Sequence, residues 1–359
     1  MTTCNDCDQL VERHVKRHGL FCSTASFSCE SCDAELCKAC FESYPLVLMK
    51  DGDENSSGGD KDLQKKAHIQ SFCKSCFQRL SVLDFTKTYD VIEPSADAKK
   101  SGVTFVFVHG GGGSRAMFRR HAKELMARHG HRCILLDLPG HGSLAEVELS
   151  FDTCWEELKT VLEENRVIHE EDGKRMNPKE KIIYVGGSLG AYVGFYLLDQ
   201  FRGVFNSAVL MDCGQNVGPG RSLKASLGLH LLSYVAKHYS NKKLAKMMLD
   251  VTKKSPADQW VIESTFAAGW FFDQGEEQVS ILRSVAPAKH IPELDIPICF
   301  MNGSKDHRDS EELWLDLCET PNEINSVLEV YDGGDHFFMH DSRFVEDVLK
   351  DIHDFAVSN

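Results

Sequence analysis

From residue 103 onward, short apolar runs alternate with longer stretches in which apolar and polar positions follow a helical period. The runs cover 103–108, 133–138, 181–185, 208–211, 297–301 and 327–331, and helix-length segments at 114–129, 151–164 and 189–200 lie between them. The runs are rich in Val, Ile, Leu, Phe and Met and apolar at successive positions, which is how strands read when both faces of a sheet are covered. The pattern predicts an α/β fold with a mostly parallel central sheet and helices on both faces. The segment 85–93 predicts leading antiparallel strands, and 341–356 a final amphipathic helix. A parallel sheet places ligands beyond the carboxyl ends of its strands, so chemistry is expected there.

Residues 1–80 follow another pattern. Nine of the fourteen cysteines fall here, eight of them in Cys-x-x-Cys pairs, and a polar stretch over 50–60 separates the third pair from the fourth. That stretch reads as a loop inside a small module, so the boundary is placed near residue 81, with the larger domain over 81–359. Repeats of solenoid length are absent from the sequence.

Composition narrows the classes. Hydrophobic residues make up 42% of the 359 and charged residues 26%, an ordinary globular balance. The formal net charge of −14 argues against nucleic acid as a partner, because phosphate binding needs a basic footprint. The N-terminus has neither the basic start nor the apolar run of a signal peptide, and nothing reaches the roughly 18 apolar residues of a spanning helix. A soluble, cytoplasmic protein is therefore expected. In a reducing compartment clustered cysteines indicate metal rather than disulfides.

The run 181–185 leads into Gly186-Gly187-Ser188-Leu189-Gly190 and then an apolar helical segment. Gly-x-Ser-x-Gly between a strand and a helix is the setting of a strained nucleophile elbow, with small residues on either side letting strand and helix approach. An earlier run ends in His109-Gly110-Gly111-Gly112-Gly113-Ser114, a glycine loop whose N–H groups can face a substrate. It lacks the Lys-Ser/Thr of a phosphate-binding loop. Gly111 and Leu189 are the candidate oxyanion donors, and His109 reads as structural. A serine nucleophile needs a histidine base oriented by a carboxylate. His336 follows the last run, in Asp332-Gly333-Gly334-Asp335-His336, and is the candidate base. Asp306, in Gly303-Ser304-Lys305-Asp306, is the chosen carboxylate, with Asp309 a turn further on and Asp212 the main rival.

Together His109-Gly110, Asp137-Leu138-Pro139-Gly140-His141-Gly142-Ser143, the Ser188 elbow, Gly303-x-x-Asp306 and His336 resemble the α/β-hydrolase superfamily in its order along the chain, over 103–356. The resemblance implies a helical lid after the sixth strand, here 214–292, which contains Trp260, Phe266, Trp270, Phe271 and Phe272. Two roles stay open for these aromatics: packing the lid onto the core, or lining an apolar pocket.

The pairs Cys4/Cys7, Cys29/Cys32, Cys37/Cys40 and Cys73/Cys76 can bind two structural zinc ions in tetrahedral four-cysteine sites. The short gap between Cys32 and Cys37 disfavours neighbouring pairs sharing an ion, so a cross-brace joins first with third and second with fourth. Cys22 is spare, and with His14 or His18 could replace a ligand. The middle spacing and Phe72-Cys73-Lys74-Ser75-Cys76-Phe77-Gln78-Arg79-Leu80 are similar to FYVE-type zinc fingers, which bind phosphatidylinositol 3-phosphate on endosomal membranes. This chain has Ser26-Phe27-Ser28 where that family carries its basic motif, so the headgroup residues do not carry over. The basic stretch with Arg13, His14, Lys16, Arg17 and His18 reads as a solvated face or as a contact with an anionic membrane.

The expected function is a serine hydrolase cleaving carboxylic esters of lipid or acyl type, with no organic cofactor and a lipid or small-molecule ester as substrate. Through its zinc module it could also meet a protein partner or sit peripherally on endosomal membranes. The alternatives are a ligand-sensing scaffold, and a thioesterase or acyltransferase on the same residues.

Overall fold

The computed structural model of the chain describes residues 27–28, 35–36, 45–49, 67–252, 267–306, 309–318 and 325–359. Cys4, Cys7, Cys29, Cys32, Cys37, Cys40, Trp260 and Phe266 lie outside them, as do Arg13, His14, Lys16, Arg17, His18 and Cys22.

Two hairpins come first: β1 (Phe27–Ser28) with β2 (Glu35–Leu36), and β3 (Pro45–Met49) with β4 (Ala67–Ser71), both antiparallel. Helix α1 (Lys74–Leu80) follows. Then come β5 (Tyr89–Ile92), β6 (Val103–Val108), α2 (Arg119–His129), β7 (Arg132–Leu136), α3 (Phe151–Glu164), β8 (Lys181–Gly187), α4 (Leu189–Gln200) and β9 (Ser207–Met211). Helices α5 (Leu223–His238), α6 (Asn241–Thr252), α7 (Gly275–Ser284) and α8 (Pro287–His290) fill the interval before β10 (Ile298–Gly303). The chain closes with α9 (Asp309–Cys318), β11 (Val327–Tyr331) and α10 (Val345–Ser358).

The central sheet runs β11-β10-β9-β8-β6-β7-β5, parallel throughout except for β5, which pairs antiparallel with β7. Its side chains explain the unbroken apolar runs. Val106, Val108, Tyr184, Leu210 and Phe300 point to one face, where α3, α4 and α9 cover them. Their neighbours Phe105, Phe107, Val185, Val209 and Met301 point to the other, under α2 and α10. With period-two alternation and both faces buried, the inner strands read as nearly continuous apolar runs. Strand order reverses between β6 and β8, and the ends of these two strands are where such a sheet opens a crevice.

Four elements depart from the sequence pattern, each for a local reason. The segment 114–129 is a 3₁₀ turn (Arg115–Phe118) followed by α2, because the Arg115 N–H and guanidinium are both drawn to the buried Asp137 carboxylate. The same carboxylate accepts from Ser143 N–H at 2.9 Å, so β7 stops at Leu136. One antiparallel strand forms within 85–93, since Asp84 folds the preceding residues into a turn by accepting from Thr86 N–H and Oγ1. The last helix starts at Val345 rather than 341, because Asp341 Oδ1 accepts from Arg343 N–H in a turn of its own.

The first described elements contact the larger domain. Phe77 of α1 packs at a tilt against Phe85 and edge-on against Phe271, at centroid distances of 5.5 and 6.1 Å, and Ser81 Oγ donates to Ala268 O at 2.7 Å. Ile69 of β4 joins the cluster of Leu244, Ala245, Leu249 and Trp270. Among the described residues no helix is long and apolar enough to cross a membrane.

Candidate active site

Ser188 sits between β8 and α4 with φ 48° and ψ −114°. That backbone is costly for a residue with a Cβ, and it persists because the surroundings fix it. Ser188 N–H donates to Met211 O at 2.8 Å, tying the turn to β9. The flanking glycines are required by space: a Cβ at Gly190 would lie 2.3 Å from Val108 O, and one at Gly186 2.7 Å from Gly190 O. Strand and helix meet too closely for any side chain, which pushes the serine hydroxyl outward.

The loops after β10 and β11 are fastened together. Ser304 N–H donates to Tyr331 O and Lys305 N–H to Gly334 O, and a Cβ at Gly303 would strike the Gly334 backbone. This clasp sets Asp306 against His336, with His336 Nδ1 2.7 Å from Asp306 Oδ2, and His336 Nε2 3.1 Å from Ser188 Oγ. The sequence-selected serine, histidine and aspartate therefore lie in one hydrogen-bonded row, with Nδ1–H donating to the carboxylate and Nε2 facing the hydroxyl. The side chain of Asp309 is outside the described residues.

Asp212 is also close. It lies at the end of β9 with φ 54°, and its carboxylate, that of Asp306 and the His336 ring have ligand atoms within 4.8 Å of one another. It is buried, and neither of its carboxylate oxygens has a hydrogen-bond partner among the described residues. Burial pushes its pKa well above the usual carboxylate value. For His336, burial acts downward, but the carboxylates of Asp212, Asp306 and Asp335 outweigh it and hold the imidazole up at about 9. Behind Asp212 lies Glu311 of α9, fully buried, whose Oε1 accepts from Cys213 Sγ at 3.8 Å. Burial first, and then Asp212 and Asp306, raise Glu311 to about 9. Nothing in its helical sequence context marks Glu311, and only tertiary folding brings it here.

The glycine loop after β6 lies over the elbow: a Cβ at Gly110 would be 3.2 Å from that of Ser188. No hydrogen bond among the described residues engages the N–H of Gly111 or Leu189. His109 is a buried strut, with Nδ1 2.8 Å from Gly110 O and Nε2 accepting from Leu138 N–H at 3.0 Å. His141, which the sequence offered only as part of a motif, accepts from Gly112 N–H at 3.1 Å. Burial keeps both rings neutral, His109 at about 4 and His141 at about 3. From the lid, Phe271 N–H donates to Gly112 O, and the Gln278 amide oxygen would sit 2.6 Å from a Cβ at Gly111. Gln278 is a further residue whose place only the fold discloses.

A cavity of about 440 Å³ opens beside Ser188 and His336. Its apolar wall is Tyr192, Val217, Leu229, Leu232 and Leu282, and Lys224 stands at its margin. Of the lid aromatics, Trp270, Phe271 and Phe272 pack against α6, α1 and one another instead. The described aromatics therefore have the packing role, and aliphatic residues of α5 and α7 line the pocket.

Besides the Asp212, Asp306 and His336 cluster, two further sets of described residues carry metal-ligating side chains. Cys73 and Cys76 are both buried in the first turn of α1, where Cys76 N–H donates to Cys73 Sγ at 3.5 Å. The Arg79 guanidinium also donates to Cys76 Sγ at 3.6 Å. The other group is His129, His131 and His353 at the opposite ends of the strands. His129 and His353 stack face to face at 3.6 Å and 10°, and His131 Nε2 lies 2.8 Å from His353 Nδ1, so two of these ring nitrogens already engage each other.

Comparison with known proteins agrees with this architecture. A family profile described as the alpha/beta hydrolase family matches residues 105–348. No curated protein matches the chain. Among solved structures, the chain is similar to MenH from S. aureus, at 16% identity and a TM-score of 0.55 over 76% of this chain and 98% of that one. It is similar also to a thermophilic esterase from Thermogutta terrifontis, at 17% identity and 0.54 over 75% and 93%. A monoacylglycerol lipase from Paleococcus ferrophilus gives 15% identity and 0.51 over 75% and 98%. At such identities the likeness establishes the fold.

Proposed function

The chain belongs to the alpha/beta hydrolase family, and on that premise we propose that it is a serine hydrolase cleaving carboxylic esters of apolar acids through an acyl-enzyme on Ser188. The observation that carries this reading is the row Ser188 Oγ, His336 Nε2, His336 Nδ1 and Asp306 Oδ2, with spacings of 3.1 and 2.7 Å, at the mouth of an apolar cavity.

In this reading Ser188 Oγ attacks the ester carbonyl carbon as its proton passes to His336 Nε2. The carbonyl electron pair moves onto oxygen, and the Gly111 and Leu189 N–H groups, the latter at the start of α4, stabilise the resulting oxyanion. Collapse restores the carbonyl and breaks the ester bond, with the leaving alkoxide taking the proton from His336. Water then repeats the sequence, giving its proton to His336 and releasing the acid and Ser188. Asp306 holds Nδ1 protonated, which leaves Nε2 free as the base, and supports the imidazolium charge. The cavity, walled by Leu229, Leu232, Leu282 and Val217, suits an aliphatic acyl chain.

Two zinc ions complete the proposal, held by Cys4, Cys7, Cys37 and Cys40, and by Cys29, Cys32, Cys73 and Cys76. Bound zinc supplies folding free energy and no catalytic step.

A fluorophosphonate probe tests the main claim. Wild type should be labelled on Ser188 and should release acid from a panel of p-nitrophenyl esters, and Ser188→Ala should do neither. Label elsewhere, or no label together with no turnover of any ester, would leave a binding protein on a hydrolase scaffold.

A further inference from the structure

We propose that the outer face of helix α5 docks the protein onto an anionic lipid bilayer and so sets the cavity against the membrane that supplies its substrate. The docking rests on the surface itself; only the delivery of substrate rests on the function proposed above.

The sequence of α5 carries two apolar faces. Leu229 and Leu232 turn inward to the cavity, and the exposed Gly228 borders it. Leu223, Leu227, Leu231 and Tyr234 turn outward and remain 78%, 61%, 65% and 58% exposed. Their spacing of four, four and three residues makes one stripe along the sixteen-residue helix. Met247 and Val251 of α6 are exposed as well. Scattered exposed leucines are ordinary, whereas a continuous row along one helix marks a contact surface.

Charge identifies the occupant. Between Arg221 and Asp250 the chain carries Arg221, Lys224, Lys237, Lys242, Lys243 and Lys246 against Asp250 alone, in a protein with a formal net charge of −14. The segment of α5 and α6 is thus a basic island on an acidic molecule. Lys237 is partnered by Glu276 at 3.6 Å, and Lys243 lies 3.3 Å from the Tyr239 ring centroid, but both remain at the surface. An apolar stripe flanked by lysines is the pattern of a helix lying in the plane of a lipid interface, its leucines among the acyl chains and its cations at acidic headgroups. Because the inner face of the same helix walls the cavity, insertion brings the cavity within one helix diameter, roughly 10 Å, of the headgroups.

Flotation of the full chain with vesicles tests this. Wild type should float with phosphatidylcholine–phosphatidylserine vesicles and much less with phosphatidylcholine alone, with high salt weakening the binding. Leu227→Asp combined with Leu231→Asp should lower flotation at least about tenfold, and Lys242→Glu with Lys246→Glu should abolish the preference for phosphatidylserine. Both variants should still cleave soluble p-nitrophenyl butyrate at the wild-type rate, which certifies their folding. Flotation that survives the leucine changes would place membrane contact elsewhere and overturn the proposal. So would loss of a wild-type dimer in those variants, by sedimentation, with flotation unaltered: the stripe would then seat a second copy. If flotation behaves as expected but no ester is cleaved, the docking stands and the proposed activity falls.

Discussion

At the scale of single residues, the site offers one imidazole and two carboxylates, and their environments separate them. Asp306 makes a 2.7 Å bond to His336 Nδ1, whereas Asp212 is buried without a hydrogen-bond partner among the described residues. Only a hydrogen-bonded carboxylate can fix the tautomer, so Asp306→Asn should lower kcat/KM by about 10³–10⁴-fold. Asp212→Asn should cost far less, and kinetics of the two variants on one ester decide the matter; the reverse order would move the orienting role to Asp212. Ser188→Ala and His336→Ala should each remove activity, and the double variant should be little worse, because such residues act as a unit. The pH profile separates the carboxylates by another route. A base works only when unprotonated, so kcat/KM should rise with pH and reach half its plateau at about 9, where His336 loses its proton. Asp212 favours the protonated ring through its charge, so Asp212→Asn should move that midpoint down, toward the ordinary histidine value of about 6.5. An unmoved midpoint would mean that Asp212 carries no charge in the working protein.

At the scale of elements, α5 has a glycine in its middle that the helix does not need. Nothing lies within 4 Å of a Cβ built at Gly228, and the residue lines the cavity. Gly228→Ala should raise stability by about 0.5–1 kcal/mol through backbone entropy, measured by denaturant unfolding. Gly228→Phe should project a ring into the cavity and reduce turnover of long-chain p-nitrophenyl esters while sparing acetate. Equal effects on both lengths would remove the acyl chain from this cavity. The contrast with Gly190 shows what local sequence discloses. Gly186 is imposed by its contact with Gly190 inside the turn and Gly190 by Val108 of β6, but the Gly-x-Ser-x-Gly spacing that both produce is written within five residues, and so the elbow was legible. The apolar runs were legible for a similar reason, since Phe105 and Val106 face opposite layers that are both closed. Gln278 over Gly111 and Glu311 behind Asp212 are set by chain crossings of more than ninety residues, which no local pattern encodes. The two roles open for the aromatics were separated in the same way: Trp270 and Phe271 are as apolar as a pocket wall requires, and only the tertiary contacts with α6 and Phe77 of α1 assign them to packing.

At the scale of the whole molecule, the question is how the cysteine-bearing N-terminal segment and the α/β-hydrolase fold hold together, and the described contacts are α1 and Ile69 of β4. Cys73 and Cys76 open this helix, and Phe77 on its next turn packs against Phe85 and Phe271, beside the glycine loop. A zinc ion on these sulfurs would therefore brace the helix that supports the root of the lid. Elemental analysis of the purified chain should give about two zinc per molecule, all in sulfur coordination. The cross-brace makes a sharper prediction, because it says which cysteines share an ion. Cys29→Ser and Cys73→Ser remove ligands from one site, so the double variant should retain about one zinc, as each single variant does. Cys4→Ser with Cys29→Ser strikes both sites and should retain none. If neighbouring pairs shared ions instead, Cys4 and Cys29 would lie in one site and Cys73 in the other, and the two double variants would exchange their zinc contents. Nitrogen in the first shell would replace a cysteine with His14 or His18. Differential scanning calorimetry completes the test: zinc loss through Cys73→Ser should lower an early transition belonging to α1 and its contacts, and leave unfolding of the seven-stranded core where it was.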